Sequence, residues 1–150
     1  MIVGHDAHIA DLTRLVKENR LSHGYIFWGP AMAGKRTVAL ALARFLEKGK
    51  FSSEEGEIFH DCLLVVPNET RTIGIDAIRG VRQFLSRKPN VSSRRTVILD
   101  GGECLTSESQ NALLKVSEDP PPSALIILVM SDPEAIRETV SSRFQKIYFS

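Results

Sequence analysis

Residues Tyr25 to Thr37 read Y-I-F-W-G-P-A-M-A-G-K-R-T, and the fold turns on this stretch. Tyr25, Ile26, Phe27 and Trp28 form a short apolar run suited to a buried strand. The loop Gly29-Pro30-Ala31-Met32-Ala33-Gly34 then delivers Lys35 to a helix that extends to about Glu47, with Val38, Ala41, Leu42 and Phe45 on one face. This is the layout of a phosphate-binding loop. Backbone N–H groups of a tight loop and a helix N-terminus converge on a polyphosphate, glycine admits close approach, and lysine adds a positive charge. Residues Gly29 to Lys35 match G-x-x-x-x-G-K, but the next position, where a Ser or Thr hydroxyl holds magnesium, is Arg36. Thr37 lies one step further, about 100° around the helix, and is not aligned to replace it. The alternative is an ordinary strand–loop–helix turn with incidental glycines.

The pattern continues on both sides. Ala7, Ile9, Leu12, Leu15 and Val16 give an amphipathic helix from Asp6 to Asn19. The polar stretch Lys48 to Glu57 reads as a loop. Cys62 to Val66 is a continuous apolar run, as expected for a strand buried on both faces. Ile78, Val81, Phe84 and Leu85 mark a helix from Ile75 to near Lys88-Pro89, and Arg95 to Asp100 is a strand ending in a carboxylate. A helix capped by Thr106 or Ser107 turns Ala112, Leu113 and Val116 inward and stops at Asp119-Pro120. Leu125 to Met130 is the most apolar strand, followed by a short helix from Pro133 to about Val140 and a strand from Lys146 to Phe149. Apolar strands alternating with helices predict an α/β fold, a mostly parallel five-stranded sheet between helix layers. Ligands in such folds sit at the C-terminal strand ends, where both the glycine loop and Asp100 fall.

The 150 residues, 43% hydrophobic and 25% charged, suit one ordinary domain with a real core. A net charge of +1 gives no global pull toward nucleic acid or membrane. No apolar run reaches membrane-span length and the start lacks a secretory signal, so the expected location is cytoplasmic, with no membrane contact. Cys62 and Cys104 stand far apart, and His60-Asp61-Cys62 has too few ligands nearby, so no metal site is expected and Cys62 reads as a buried structural thiol. His5, His8 and His23 are assigned polar or capping roles.

Several longer motifs then resemble a known family. They are V-I-L-D-G-G-E at Val97 to Glu103, N-A-L-L-K-V-S-E-D-P-P-P at Asn111 to Pro122, and S-S-R-F-Q at Ser141 to Gln145. With the opening G-H-D-A-H-I-A-D-L and R-L-S-H-G-Y-I-F, they resemble the first domain of bacterial clamp-loader AAA+ proteins of DNA polymerase III, nearest in pattern to the delta-prime subunit. The resemblance implies a three-layer P-loop AAA+ domain over residues 1–150, without the family's lid and C-terminal collar. It also implies a Walker B-like role for Asp100, a polar sensor at Ser131, and an arginine finger at Arg143. The family's second acidic residue, which positions the attacking water, falls at Gly101; Glu103, two residues on, is not assigned that role. Phe144 stands where the family has a cysteine, and its four-cysteine zinc module has no room in the short 48–57 loop.

The leading expectation is a hydrolysis-deficient stator of DNA replication, part of a DNA polymerase III holoenzyme, that offers Arg143 to a neighbour's ATP. No cofactor is required; ATP or ADP is permitted, with magnesium weak or absent. The implied partners are the gamma/tau and delta subunits in a hetero-oligomeric ring, and through it the sliding clamp and primer-template DNA. The alternative is a divergent gamma/tau-like ATPase using Lys35, Thr37 and Asp100 on Mg-ATP. A third class is direct DNA contact. Arg71, Arg79, Arg82, Arg87, Lys88, Arg94 and Arg95 are opposed only by Asp76, and Arg79, Arg82, Arg87 and Lys88 are the candidate patch. A solvated helix face is the ordinary reading of such charges.

Overall fold

The computed structural model describes residues 4–51 and 59–150. In chain order the elements are α1 (Asp6–Lys17), β1 (Gly24–Trp28), α2 (Lys35–Lys48), β2 (Cys62–Val65), α3 (Ile75–Leu85), β3 (Arg95–Asp100), α4 (Ser107–Glu118), β4 (Ala124–Met130), α5 (Glu138–Ser141) and β5 (Gln145–Tyr148). The five strands form one sheet in the order β2-β3-β4-β1-β5, with every neighbouring pair parallel. This is the three-layer α/β architecture that the strand–helix alternation predicts.

Alternation along each central strand feeds two cores. Ile26, Val97, Leu99, Ile126, Leu128 and Met130 pack on one side with Ile78, Val81 and Leu85 of α3 and Leu113 and Val116 of α4. Tyr25, Phe27, Ile98, Leu125, Ile127 and Val129 pack on the other with Leu12 of α1 and Val38, Ala39 and Leu42 of α2. Because side chains point to opposite faces at period two, a strand covered on both sides must be apolar throughout, and β4 is buried at every position.

Four expectations need correction. The run at Cys62 to Val66 is not buried on both faces: β2 is an edge strand, all four of its residues are only half-buried, and Val66 beyond it is 51% exposed. The helix expected from Pro133 to Val140 is two pieces. The Asp132 carboxylate accepts the Glu134 N–H at 2.9 Å and caps a single 3-10 turn, Ile136 is extended with its side chain in the core, and α5 begins only at Glu138. Helix α1 stops at Lys17 because Asn19 adopts a left-handed backbone, and Ala7 faces solvent rather than the core. Strand β5 runs one residue earlier than expected, although the Phe149 N–H still donates to Trp28 O at 2.8 Å. Of the polar stretch 48–57, Lys48 closes α2 and Gly49 caps it; residues 52–57 lie outside the described residues.

Candidate functional site

The loop after β1 is shaped by close backbone contact. Gly29 has φ +141°, and a Cβ there would lie 2.0 Å from Phe149 O, so no other residue fits. Its N–H donates to Ser131 O at 3.2 Å, which ties the loop to the end of β4. Gly34 is the left-handed N-cap of α2, and Lys35 begins the helix. Lys35 is only 7% exposed; its Nζ donates to Gly29 O, and to Pro30 O at 2.9 Å. Burial lowers the Lys35 pKa, while the Glu103 and Asp100 carboxylates work to raise it, leaving it below the ordinary value.

The strands then bring distant residues to one recess of about 460 Å³, lined by Ala31 to Thr37, Asp100, Glu103, Val129 and Ser131. Asp100 ends β3 opposite Val129 of β4, and Ser131 follows β4. Arg36 Nη1 donates to Asp100 Oδ2 at 3.0 Å, and this ion pair lies where the fold would place a metal. Glu103, which the sequence reading set aside, has its carboxylate in the recess, where Oε2 accepts the Ser131 N–H at 3.0 Å. Gly101 has φ +124°, and a Cβ there would be 3.0 Å from Pro67 Cγ, so a carboxylate-bearing residue does not fit at the position the family pattern assigns to it.

The family fold implies magnesium, but the residues present do not fit it. The hydroxyl is replaced by a guanidinium, the one aligned carboxylate is already paired with that guanidinium, and Gly101 supplies no second acid. Among the described residues, no group of three or more His, Cys, Asp or Glu could hold a metal ion. Cys62 is half-buried rather than fully buried, and burial of its sulfur pushes the thiol up to about 12, with Glu47 adding to the effect, which disfavours the thiolate.

His5, which sequence reasoning left as a polar or capping group, also reaches the loop. It is the N-cap residue of α1, and its Nε2 lies 2.5 Å from Ala33 O. Its neighbour His8 places Nε2 2.7 Å from Tyr148 O. Together they fasten α1 across the loop and the end of β5. No local pattern announces contacts 28 and 140 residues apart in the chain.

Arg143 lies elsewhere. It follows α5 beside His23, Gly24 and Pro120, two residues before Gln145, which pairs with Tyr25. The cradle follows the other end of β1, a strand length of about 15 Å away, beyond reach of an arginine side chain. Its side chain is exposed, and among the described residues it makes no ion pair or side-chain hydrogen bond.

Two of the seven basic residues counted between Arg71 and Arg95, both outside the candidate patch, are held by the fold. Arg95 is buried, pairs with Asp61 at 3.2 Å, donates to Phe84 O at 3.1 Å and stacks over the Phe84 ring at 3.8 Å. Arg94 donates to Leu21 O at 2.6 Å and to Ser22 O and Ala124 O at 3.2 Å. Both are structural. Arg79, Arg82, Arg87 and Lys88 remain exposed on and just beyond α3, with Arg79 paired to Asp76 at 3.0 Å.

Nearly all of the chain is similar to known proteins. The family model described as "DNA polymerase III, delta subunit" matches residues 4–150. The DNA polymerase III subunit gamma/tau of Mycobacterium bovis is 30% identical over 155 residues, covering 95% of this chain and 27% of that protein. The DNA polymerase III subunit delta' of Bacillus subtilis is 26% identical over 144 residues, covering 89% of this chain and 44% of that protein. A crystal structure of a DNA polymerase III gamma subunit-related protein from Thermotoga maritima superposes with a TM-score of 0.79 at 28% identity, covering 95% of this chain and 45% of that one. The chain thus spans less than half the length of each of these three proteins.

Proposed function

Since the chain belongs to the DNA polymerase III delta-subunit family, we propose that it is a clamp-loader stator domain: it does not hydrolyse ATP itself and offers Arg143 to the ATP of a neighbouring subunit. The observation that carries this reading is the Arg36–Asp100 pair, which uses the cradle's aligned carboxylate internally while Arg143 stands exposed at the far end of the sheet. A guanidinium supplied across a boundary stabilises charge on the transferring phosphoryl group, an effect of about a thousandfold or more in turnover. The neighbours are gamma/tau-type and delta-type subunits in a hetero-oligomeric ring acting on a sliding clamp at primer-template DNA. Arg79, Arg82, Arg87 and Lys88 contribute a non-specific phosphate-gripping face to that assembly.

The test is steady-state ATP turnover of the reconstituted assembly. Arg143→Ala removes the contribution of the adjoining site, and unchanged turnover contradicts the reading. One observation favours a second reading, a gamma/tau-like ATPase: Glu103 stands in the recess with Asp100 and Lys35, and a carboxylate there could orient a water. Loss of this chain's own turnover on Glu103→Gln, measured with a neighbour's arginine present, supports that reading over the stator.

A further inference from the structure

We propose that Arg36 takes the place of the divalent metal at this cradle, so that the recess accepts a diphosphate-length group free of magnesium. The inference rests on the reading of the loop as a non-hydrolysing cradle, and concerns what that cradle still binds.

The parts of a phosphate cradle are present, with the Lys35 ammonium donating to the loop carbonyls of Gly29 and Pro30. Gly34 turns the chain into a 14-residue helix, whose first N–H groups lack intrahelical partners and carry the positive end of its dipole. Lys35 sits at the base of the loop. What differs is the counter-charge. Magnesium needs oxygen ligands at about 2.0–2.1 Å in a near-octahedral shell, and Asp100 Oδ2 is instead 3.0 Å from the Arg36 guanidinium. A second cation at that oxygen would be repelled by the guanidinium and would find neither a hydroxyl at position 36 nor an acid at position 101.

Arginine can do part of the metal's work. A guanidinium carries five N–H donors in a planar fork, so a bond to Asp100 leaves others for phosphate oxygens. The Arg36 side chain is half-exposed and lines the recess. Charge sets the length of the guest. Lys35 and Arg36 balance Asp100 and Glu103, so the helix dipole and loop N–H groups supply the remaining attraction. That suits the smaller charge of a diphosphate better than a metal-free triphosphate.

Calorimetric titration of the protein with ADP, once in EDTA and once in excess magnesium, tests this directly. The expected result is binding in EDTA that magnesium does not strengthen. Arg36→Thr should weaken binding in EDTA about tenfold, the loss of one charge-assisted hydrogen bond, and should make binding respond to magnesium. Asp100→Asn should keep or raise metal-free affinity, where a metal-dependent site would lose it. Circular dichroism confirms that each variant is folded. A wild-type protein that requires magnesium for ADP, or that binds ADP in neither condition, overturns the proposal, as does an Arg36→Thr variant still indifferent to magnesium. The stator reading is judged separately, by Arg143 in the assembly: loss of ADP binding in both conditions leaves it standing, and unchanged turnover with Arg143→Ala sinks it whatever the cradle binds.

Discussion

Two arginines at opposite ends of one sheet stand in opposite states. Arg36, beyond the C-terminal end of β1, spends its charge on Asp100 inside its own domain. Arg143, by the N-terminal end of the same strand, is exposed with no side-chain partner among the described residues. One end is closed on itself and the other is left open. In a parallel sheet the loops at the two ends are separated by a strand's length, so a single domain can lose function at one end and keep it at the other.

The comparison can be broken most severely at the open end. Arg143→Ala should slow hydrolysis at the adjoining site about a thousandfold, close to 4 kcal/mol of barrier, while thermal unfolding of the isolated chain stays unchanged because the side chain is exposed. Next in size is the support of that end. Asp61 is 1% exposed and its carboxylate accepts N–H bonds from Asn90, Val91 and Ser92 at 2.6–2.8 Å and from Arg95. Asp61→Ala leaves Arg95 buried and unpaired and should cost about 3 kcal/mol in urea unfolding.

The same group sets a pH dependence. Burial pushes the Asp61 carboxyl up, but the three backbone N–H groups and Arg95 outweigh it and hold it below the ordinary value. A depressed pKa in the folded state contributes stability that is present above the unfolded value of about 3.9 and is lost as pH falls through the folded one. The urea midpoint should therefore hold from neutral pH to about 5 with respect to this group and fall below about 4. Asp61→Asn should flatten that fall. At the closed end the stability effect is smaller: Arg36→Ser breaks a partly exposed pair and should cost less than about 1 kcal/mol. Smallest is the α3 surface, where charge reversal at Arg82 and Arg87 should leave stability within about 0.5 kcal/mol and weaken the assembly's DNA binding most at low salt.

The sequence carries the central strands and the glycine loop plainly, because both are local patterns. β4 is apolar at every position since both of its faces are covered, and the loop's glycine spacing is set within seven residues. The edge status of β2 was not legible, because it depends on which strand lies beside it and not on its own composition. The break between Pro133 and Val140 escaped because Ile136 takes an extended backbone that buries its side chain, and the next N–H, of Arg137, donates to Gln110 Oε1, 27 residues away in the chain. At the site, the residue types were readable and their pairings were not. Arg36 meets Asp100 across 64 residues, and Glu103 meets Ser131 across 28, contacts that only strand order creates. The structural roles of half-buried Arg94 and buried Arg95 were hidden for a related reason: a charge run reads as surface until a buried carboxylate or a row of carbonyls is found for it.

Pre-steady-state ATP hydrolysis in the reconstituted assembly, with ATP in excess over sites, tests the central claim most directly, because the burst amplitude counts the sites that fire. With Arg143→Ala the account predicts a burst reduced by one site's share, with the other sites unaffected, and no rescue by Arg143→Lys, which lacks the planar fork. A full burst at the wild-type rate from the Arg143→Ala assembly would contradict it.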